Sequence, residues 1–175
     1  MDIKISEESF KKAAAEGMDA FLSLITDAYV DAVGGELTAE NMPLLNGWQH
    51  VLLSYRYFQQ EVMEGGFCQL IQNGYGPYIF DNPFAKVMRE MGLHDFSKML
   101  YKAKRVYDEN KRELTRERTD EEFMAMYEQF PQFEDLEDWY IENEEEITAK
   151  IAYYVDEHLD EFLHDGLKKN SKQNV

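Results

Sequence analysis

Apolar side chains recur three and four residues apart along most of this chain, the spacing that lines one side of an α-helix. Ser6 can cap a first helix whose opening turn carries Glu7 and Glu8. The series Phe21, Leu22, Ile25, Ala28, Tyr29 and Ala32 then predicts a longer helix ended by Gly34-Gly35. After a turn over Thr38 to Asn41, the positions Leu45, Trp48, Leu52, Tyr55 and Val62 predict a helix of about five turns stopped at Gly65-Gly66. A brief helix through Phe67 and Ile71 follows. Asn73-Gly74-Tyr75-Gly76-Pro77 predicts a loop, and Asp81-Asn82-Pro83 reads as a cap with proline in the first turn of a helix through Val87 and Met88 that stops at Gly92. From Asp95, placed at the cap, to Thr119, helical spacing continues through Phe96, Met99, Leu100, Ala103, Val106 and Tyr107. Phe123, Met126, Tyr127 and Phe130 carry the pattern to Pro131. Phe133, Leu136, Tyr140, Ile147, Ile151, Val155, Leu159 and Phe162 form a last, long stripe. No segment alternates β-branched residues as a strand does, and no period of about 20 to 50 residues repeats. The predicted fold class is therefore all-α: a single-domain helical bundle over residues 1–165 with a long acidic C-terminal helical region, then a flexible tail over 166–175.

Composition supports a folded chain. With 44% hydrophobic and 14% aromatic residues it is too apolar for intrinsic disorder. At 175 residues it can bury roughly 70% of the surface its unfolded form would expose. Cys68 is the single cysteine, which excludes an intrachain disulfide framework and a multi-cysteine metal site and fits a reducing compartment. The first eight residues have neither the basic start nor the apolar run of a secretory signal. The longest uncharged stretch, Gly65 to Phe80, holds four glycines and Pro77 and is too short to span a bilayer. A soluble, cytoplasmic protein is expected.

Charge changes this picture most. The formal net charge is −17, and from Asp120 to Asp165 there are seventeen acidic residues against one base, Lys150. The remainder is nearly balanced. Like charges confined to one stretch repel one another, which points to a cationic partner. A pI near 4.5 disfavours direct binding to nucleic acid or to an anionic membrane. The acidic side chains are interleaved with Leu136, Trp139, Tyr140, Ile141, Ile147 and Ile151, so the block is expected to fold. Between Glu134 and Glu161 twelve carboxylates occupy 28 residues. Drawn as one continuous helix, they give roughly 3.5 Å of axis per carboxylate, close to the ~3.4 Å per phosphate of one DNA strand. They form two clusters. Glu134, Asp135, Glu137, Asp138, Glu142, Glu144, Glu145 and Glu146 make the first, and Asp156, Glu157, Asp160 and Glu161 the second. The plainer reading of both is a solvated helix face. The one basic segment, Lys98 to Arg118, can serve either a neighbouring copy's acids or the chain's own.

Candidate chemistry is sparse. Glu161-Phe162-Leu163-His164 has the Glu-x-x-His spacing of carboxylate-bridged di-iron bundles, but that architecture needs the motif twice. None of His50, His94 or His158 has a carboxylate three positions earlier. Cys68 next to Phe67 reads as packing rather than a nucleophile, and the glycines lack the Gly-Lys-Ser/Thr ending of a phosphate loop. No catalytic residue, cofactor or metal site is predicted, and the chain is not expected to be an enzyme.

Glu61-Val62-Met63-Glu64-Gly65-Gly66-Phe67-Cys68-Gln69-Leu70-Ile71-Gln72-Asn73-Gly74 resembles the signature of a bacterial all-helical family of DNA-mimic proteins, Asn-Gly-Gly-Phe-x-Gln-x-x-x-Asn after a helix. Glu64 stands where that pattern usually has Asn. The Pro83 helix, the Met91-Gly92 stop and the acidic-aromatic Phe133 to Tyr140 segment follow in the family's order. The resemblance implies a homodimer that occupies the DNA-binding surface of a helix-turn-helix transcription factor of nitrogen-response type and keeps it off its operator. The twelve carboxylates named above would then stand for phosphates, while the Gly-Gly-Phe motif marks a helix junction rather than the binding surface. A rival reading is an acidic immunity protein that covers the cationic cleft of a nuclease. A third, a small enzyme, requires a deep pocket holding a carboxylate and a histidine together.

Overall fold

The helical spacing of the sequence becomes helix almost throughout the computed structural model, which describes residues 1–164; the predicted tail over 166–175 lies outside the described residues. In chain order the helices are α1 (Glu7–Glu16), α2 (Met18–Val33), α3 (Gly47–Gln72), α4 (Gly76–Phe80), α5 (Phe84–Glu90), α6 (His94–Thr115), α7 (Asp120–Gln129), α8 (Glu134–Glu157) and α9 (Leu159–Leu163). Single 3₁₀ turns, Met42–Leu44 and Pro131–Phe133, precede α3 and α8. Among the described residues there is no strand, and the fold is all-α. No helix of the described chain is long and apolar enough to cross a membrane.

Local chemistry explains most helix ends. Ser6 caps α1 by accepting the Ser9 N–H, and Gly34, in left-handed conformation, closes α2. Thr119 and Glu122 form a reciprocal capping box at the start of α7. Three expectations are corrected. A helix, α4, begins inside the segment read as a loop, because Pro77 takes the second helical position, where its missing N–H costs nothing. Asp81 and Asn82 do not cap α5: Asp81 faces Lys104 and Lys111, while the Asn82 amide donates to the Tyr78 carbonyl. Asp95 lies inside the first turn of α6, since Leu93 holds the cap position.

The chain forms two compact units. The first comprises Met1–Leu53 together with the chain from Thr148 onward. Its core holds Ile25, Tyr29, Leu52, Ile151, Val155 and Phe162, and Trp48 packs on Tyr154 and Phe162. Buried polar groups there are satisfied: the Tyr29 hydroxyl donates to the Phe162 carbonyl at 2.8 Å, and the Gln49 amide donates to Met1 and Phe162 carbonyls.

The second unit, Ser54–Ile147, is built around aromatic rings. Phe58 meets Tyr140 edge-on at 4.8 Å and Phe96 at 5.4 Å, while Phe67 stacks on Phe133 at 5.0 Å. Such offset and edge contacts each contribute roughly 0.5–1.5 kcal/mol beyond burial.

A carboxylate arc and the junction that anchors it

Helix α8 follows the 3₁₀ turn at Pro131, and Glu134, Asp135 and Glu137 in its first turn favour the positive end of the helix dipole. Within the second unit its apolar side is fixed by Tyr140 and Ile147, both buried. At about 100° per residue, Glu134, Asp135, Asp138, Glu142, Glu145 and Glu146 fall on the opposite side within an arc of about 120°. All six are exposed. They span thirteen residues, or ~20 Å, which is roughly 3 Å of axis per carboxylate beside the ~3.4 Å per phosphate of one DNA strand.

The other two members of this cluster turn inward. Glu137 Oε1 accepts the Phe67 N–H at 2.7 Å, and Glu144 Oε1 accepts the Gln59 amide at 2.5 Å. Burial raises the pKa of Glu137, against the lowering effect of the Phe67 N–H; Asp138 and Glu134 push it further up. The sequence reading grouped both residues with the outward acids, whereas on the wheel they flank the buried side.

Glu137 ties α8 to the Gly65-Gly66 junction. Both glycines leave helical geometry inside α3, Gly66 with φ of +70°. A Cβ there would overlap the Glu137 carboxylate, and one at Gly65 would overlap the Gln69 side chain. The resulting break frees the Phe67 N–H for Glu137. Gln69 and Asn73 amides both donate to Glu61, and Gln69 also donates to Glu64. The Gly-Gly-Phe segment is thus a packed helix junction, with Phe67 wholly buried. Cys68 is buried beside it, its thiol pushed up to about 12, first by burial, then by Glu137 and against Arg118, so it is a poor nucleophile.

The ion pairs of the basic segment fall outside the arc. Lys98 pairs with Asp95, Lys104 with Asp81 and Asp108, Lys111 with Asp81, Arg116 with Glu113 and Glu122, and Arg118 with Glu113. These acids lie before Glu134. Glu134, Asp135, Asp138, Glu142 and Glu145 make no ion pair among the described residues. At one edge of the arc, Asp135 and Trp139 share a cleft of about 270 Å³ with Lys98 and Lys102.

Asp156, Glu157, Asp160 and Glu161 are exposed in the first unit. Tyr153 donates its hydroxyl to Glu157 at 2.8 Å, a bond that raises the tyrosine pKa. The helix drawn through both clusters is interrupted at His158, whose φ of −125° and ψ of 27° separate α8 from α9. The unbroken 28-residue helix therefore does not form: Asp156 and Glu157 close α8, and Asp160 and Glu161 stand on α9 beyond the break. Among the described residues, no group of three or more His, Cys, Asp or Glu is arranged to hold a metal ion.

The family model described as DMP19-like protein matches residues 43–158. This chain belongs to the DMP19-like family. It is 32% identical over 148 residues to the DNA mimic protein DMP19 of Neisseria meningitidis serogroup B, an alignment covering 84% of this chain and 89% of that relative. The match to the DMP19-like family takes in the junction, the basic helix and the whole of α8.

Sequence reasoning overlooked Ile141, Met63 and Tyr127, which stand exposed in the second unit. The signal was present for Ile141: the wheel that gathers the six acids places it at their edge, away from Tyr140 and Ile147.

Proposed function

We propose that this DMP19-like chain is itself a DNA mimic. Its carboxylates occupy the phosphate-contacting surface of a helix-turn-helix transcriptional regulator, of the nitrogen-response type, and keep that regulator from its operator. The observation that carries this reading is the outward arc of α8, whose carboxylates are spaced along the axis like one DNA strand's phosphates while the chain's basic helix pairs elsewhere. Asp156, Glu157, Asp160 and Glu161 offer the same partner a second patch. Each lysine or arginine of the regulator gains an anion as counterions leave both surfaces, so association is fast and weakens as salt rises. The chain acts as a cytoplasmic homodimer, which sedimentation at micromolar concentration checks.

The direct test is competition. A fluorescent operator duplex is bound to a purified helix-turn-helix regulator from the same genome, and the chain is titrated in at two salt concentrations. Release of the duplex by the wild type, lost when Glu134, Asp138, Glu142 and Glu145 are replaced by their amides, is the expected result. Equal release by both proteins would overturn the assignment of the arc.

A further inference from the structure

Met63, Met124, Tyr127 and Ile141, at 46%, 64%, 38% and 50% exposure, are four of the eight large apolar side chains exposed among the described residues, and all four lie in the second unit. Three hydrogen bonds fix their placement. Glu137 at Phe67 and Glu144 at Gln59 set α8 antiparallel to α3. In that register Ile141, one turn from each carboxylate, lies across from Val62 and Met63. The Tyr127 hydroxyl donates to the Gly65 carbonyl at 2.8 Å, bringing α7 to the same place, and Met124 is one turn before Tyr127.

Ile141 also borders Asp138 and Glu145 on the wheel, so the apolar group is continuous with the carboxylate arc. Glu121 and Glu128, exposed one turn either side of Met124, continue the anionic border on α7. A surface serving only solubility would not concentrate apolar side chains beside its densest charge.

We infer that Met63, Met124, Tyr127 and Ile141 form the selectivity half of the partner surface, receiving aliphatic or aromatic side chains that flank the lysines and arginines of a basic protein. This rests on the DNA-mimic reading and deepens it: carboxylates attract any polycation, and the apolar corner selects a protein among them. Charge fixes the occupant as cationic, and the apolar group excludes an occupant that offers only charge. Burial of such residues in a desolvated contact carries most of an interface's affinity, while rim charges govern encounter and salt response.

The experiment compares two variants of the full chain against two probes, an oligolysine peptide and the regulator that the wild-type chain displaces from its operator. One variant carries Met63→Ser with Ile141→Ser; the other carries Asp138→Asn, Glu142→Gln and Glu145→Gln. The apolar variant is expected to bind oligolysine within about twofold of wild type and the regulator about tenfold or more weakly, with an unchanged salt slope. Met63→Leu with Ile141→Leu should restore the regulator affinity, which separates lost contact from lost fold. Regulator binding by the serine variant within about twofold of wild type would overturn the inference alone, provided the charge variant is weakened. A charge variant that binds both probes like wild type sinks the underlying DNA-mimic reading instead. A leucine variant as weak as the serine one also counts against the inference.

Discussion

Helices α6 and α8 both display charge, yet they handle it in opposite ways. On α6 three lysines are answered close by: Asp95 serves Lys98, Asp81 serves Lys104 and Lys111, and Asp108 serves Lys104. On α8 five carboxylates of the outward arc have no such answer among the described residues. Compensated charge keeps a surface hydrated and contributes little specific recognition, because exposed pairs are each worth about 0–1 kcal/mol and are screened by salt. Uncompensated charge of one sign does the reverse. It strains the isolated molecule slightly and leaves a standing attraction for any surface of opposite sign. The same amino-acid types thus have different consequences, decided by which acids stand within reach of which bases.

The comparison breaks most sharply if neutralising either helix has the same effect. Replacing Asp138, Glu142 and Glu145 by their amides should weaken binding of the regulator about a hundredfold at low salt and flatten its salt dependence. Replacing the paired Lys104 and Lys111 on α6 by Gln should leave affinity within about twofold, measured by the same titration.

Next in size is the contrast within α8 itself. Glu137→Ala removes the acceptor of a buried N–H and should cost about 1–3 kcal/mol in urea unfolding. Asp138→Ala, one residue on and outward, should stay within about 0.5 kcal/mol.

A smaller effect separates the two by pH. Glu137 has a folded-state pKa above its ordinary value of 4.5, so the native state binds more protons than the unfolded state in the window just above that value. Stability present below 4.5 is therefore lost as pH rises through the folded pKa. Thermal midpoints of the wild type should fall across that window, and Glu137→Gln should flatten part of the slope. Smallest of all, Asp81→Asn should move the thermal midpoint by no more than about 2 °C, because the pairs it breaks are solvent-exposed.

Much of this architecture was legible beforehand. Apolar spacing announced the helices, and Gly34, Gly65-Gly66 and Gly92 announced where they stop; Gly34, Gly66 and Gly92 sit at positive φ, which other residues avoid. The acidic block was equally plain. What escaped was anything requiring a second segment. Glu137 looks like its neighbours until Phe67 is brought beside it, and Ile141 looks like core until Tyr140 and Ile147 claim the buried side. The break at His158 escaped for another reason: no proline or glycine marks it. Helix α4 was hidden because one turn of helix, opened by Gly76-Pro77, shares its composition with a loop.

The bond from Phe67 to Glu137 has one more consequence. It acts as a clocking pin for α8: turning the helix by a single residue, about 100°, would pull the pinned carboxylate off its amide and swing the outward six toward the aromatic core. The rotational phase of the display is therefore held by this bond together with the Glu144–Gln59 bond and the burial of Tyr140 and Ile147, and a one-residue insertion between Glu137 and Asp138 would turn the acids that follow away from that phase while leaving every charge in the sequence.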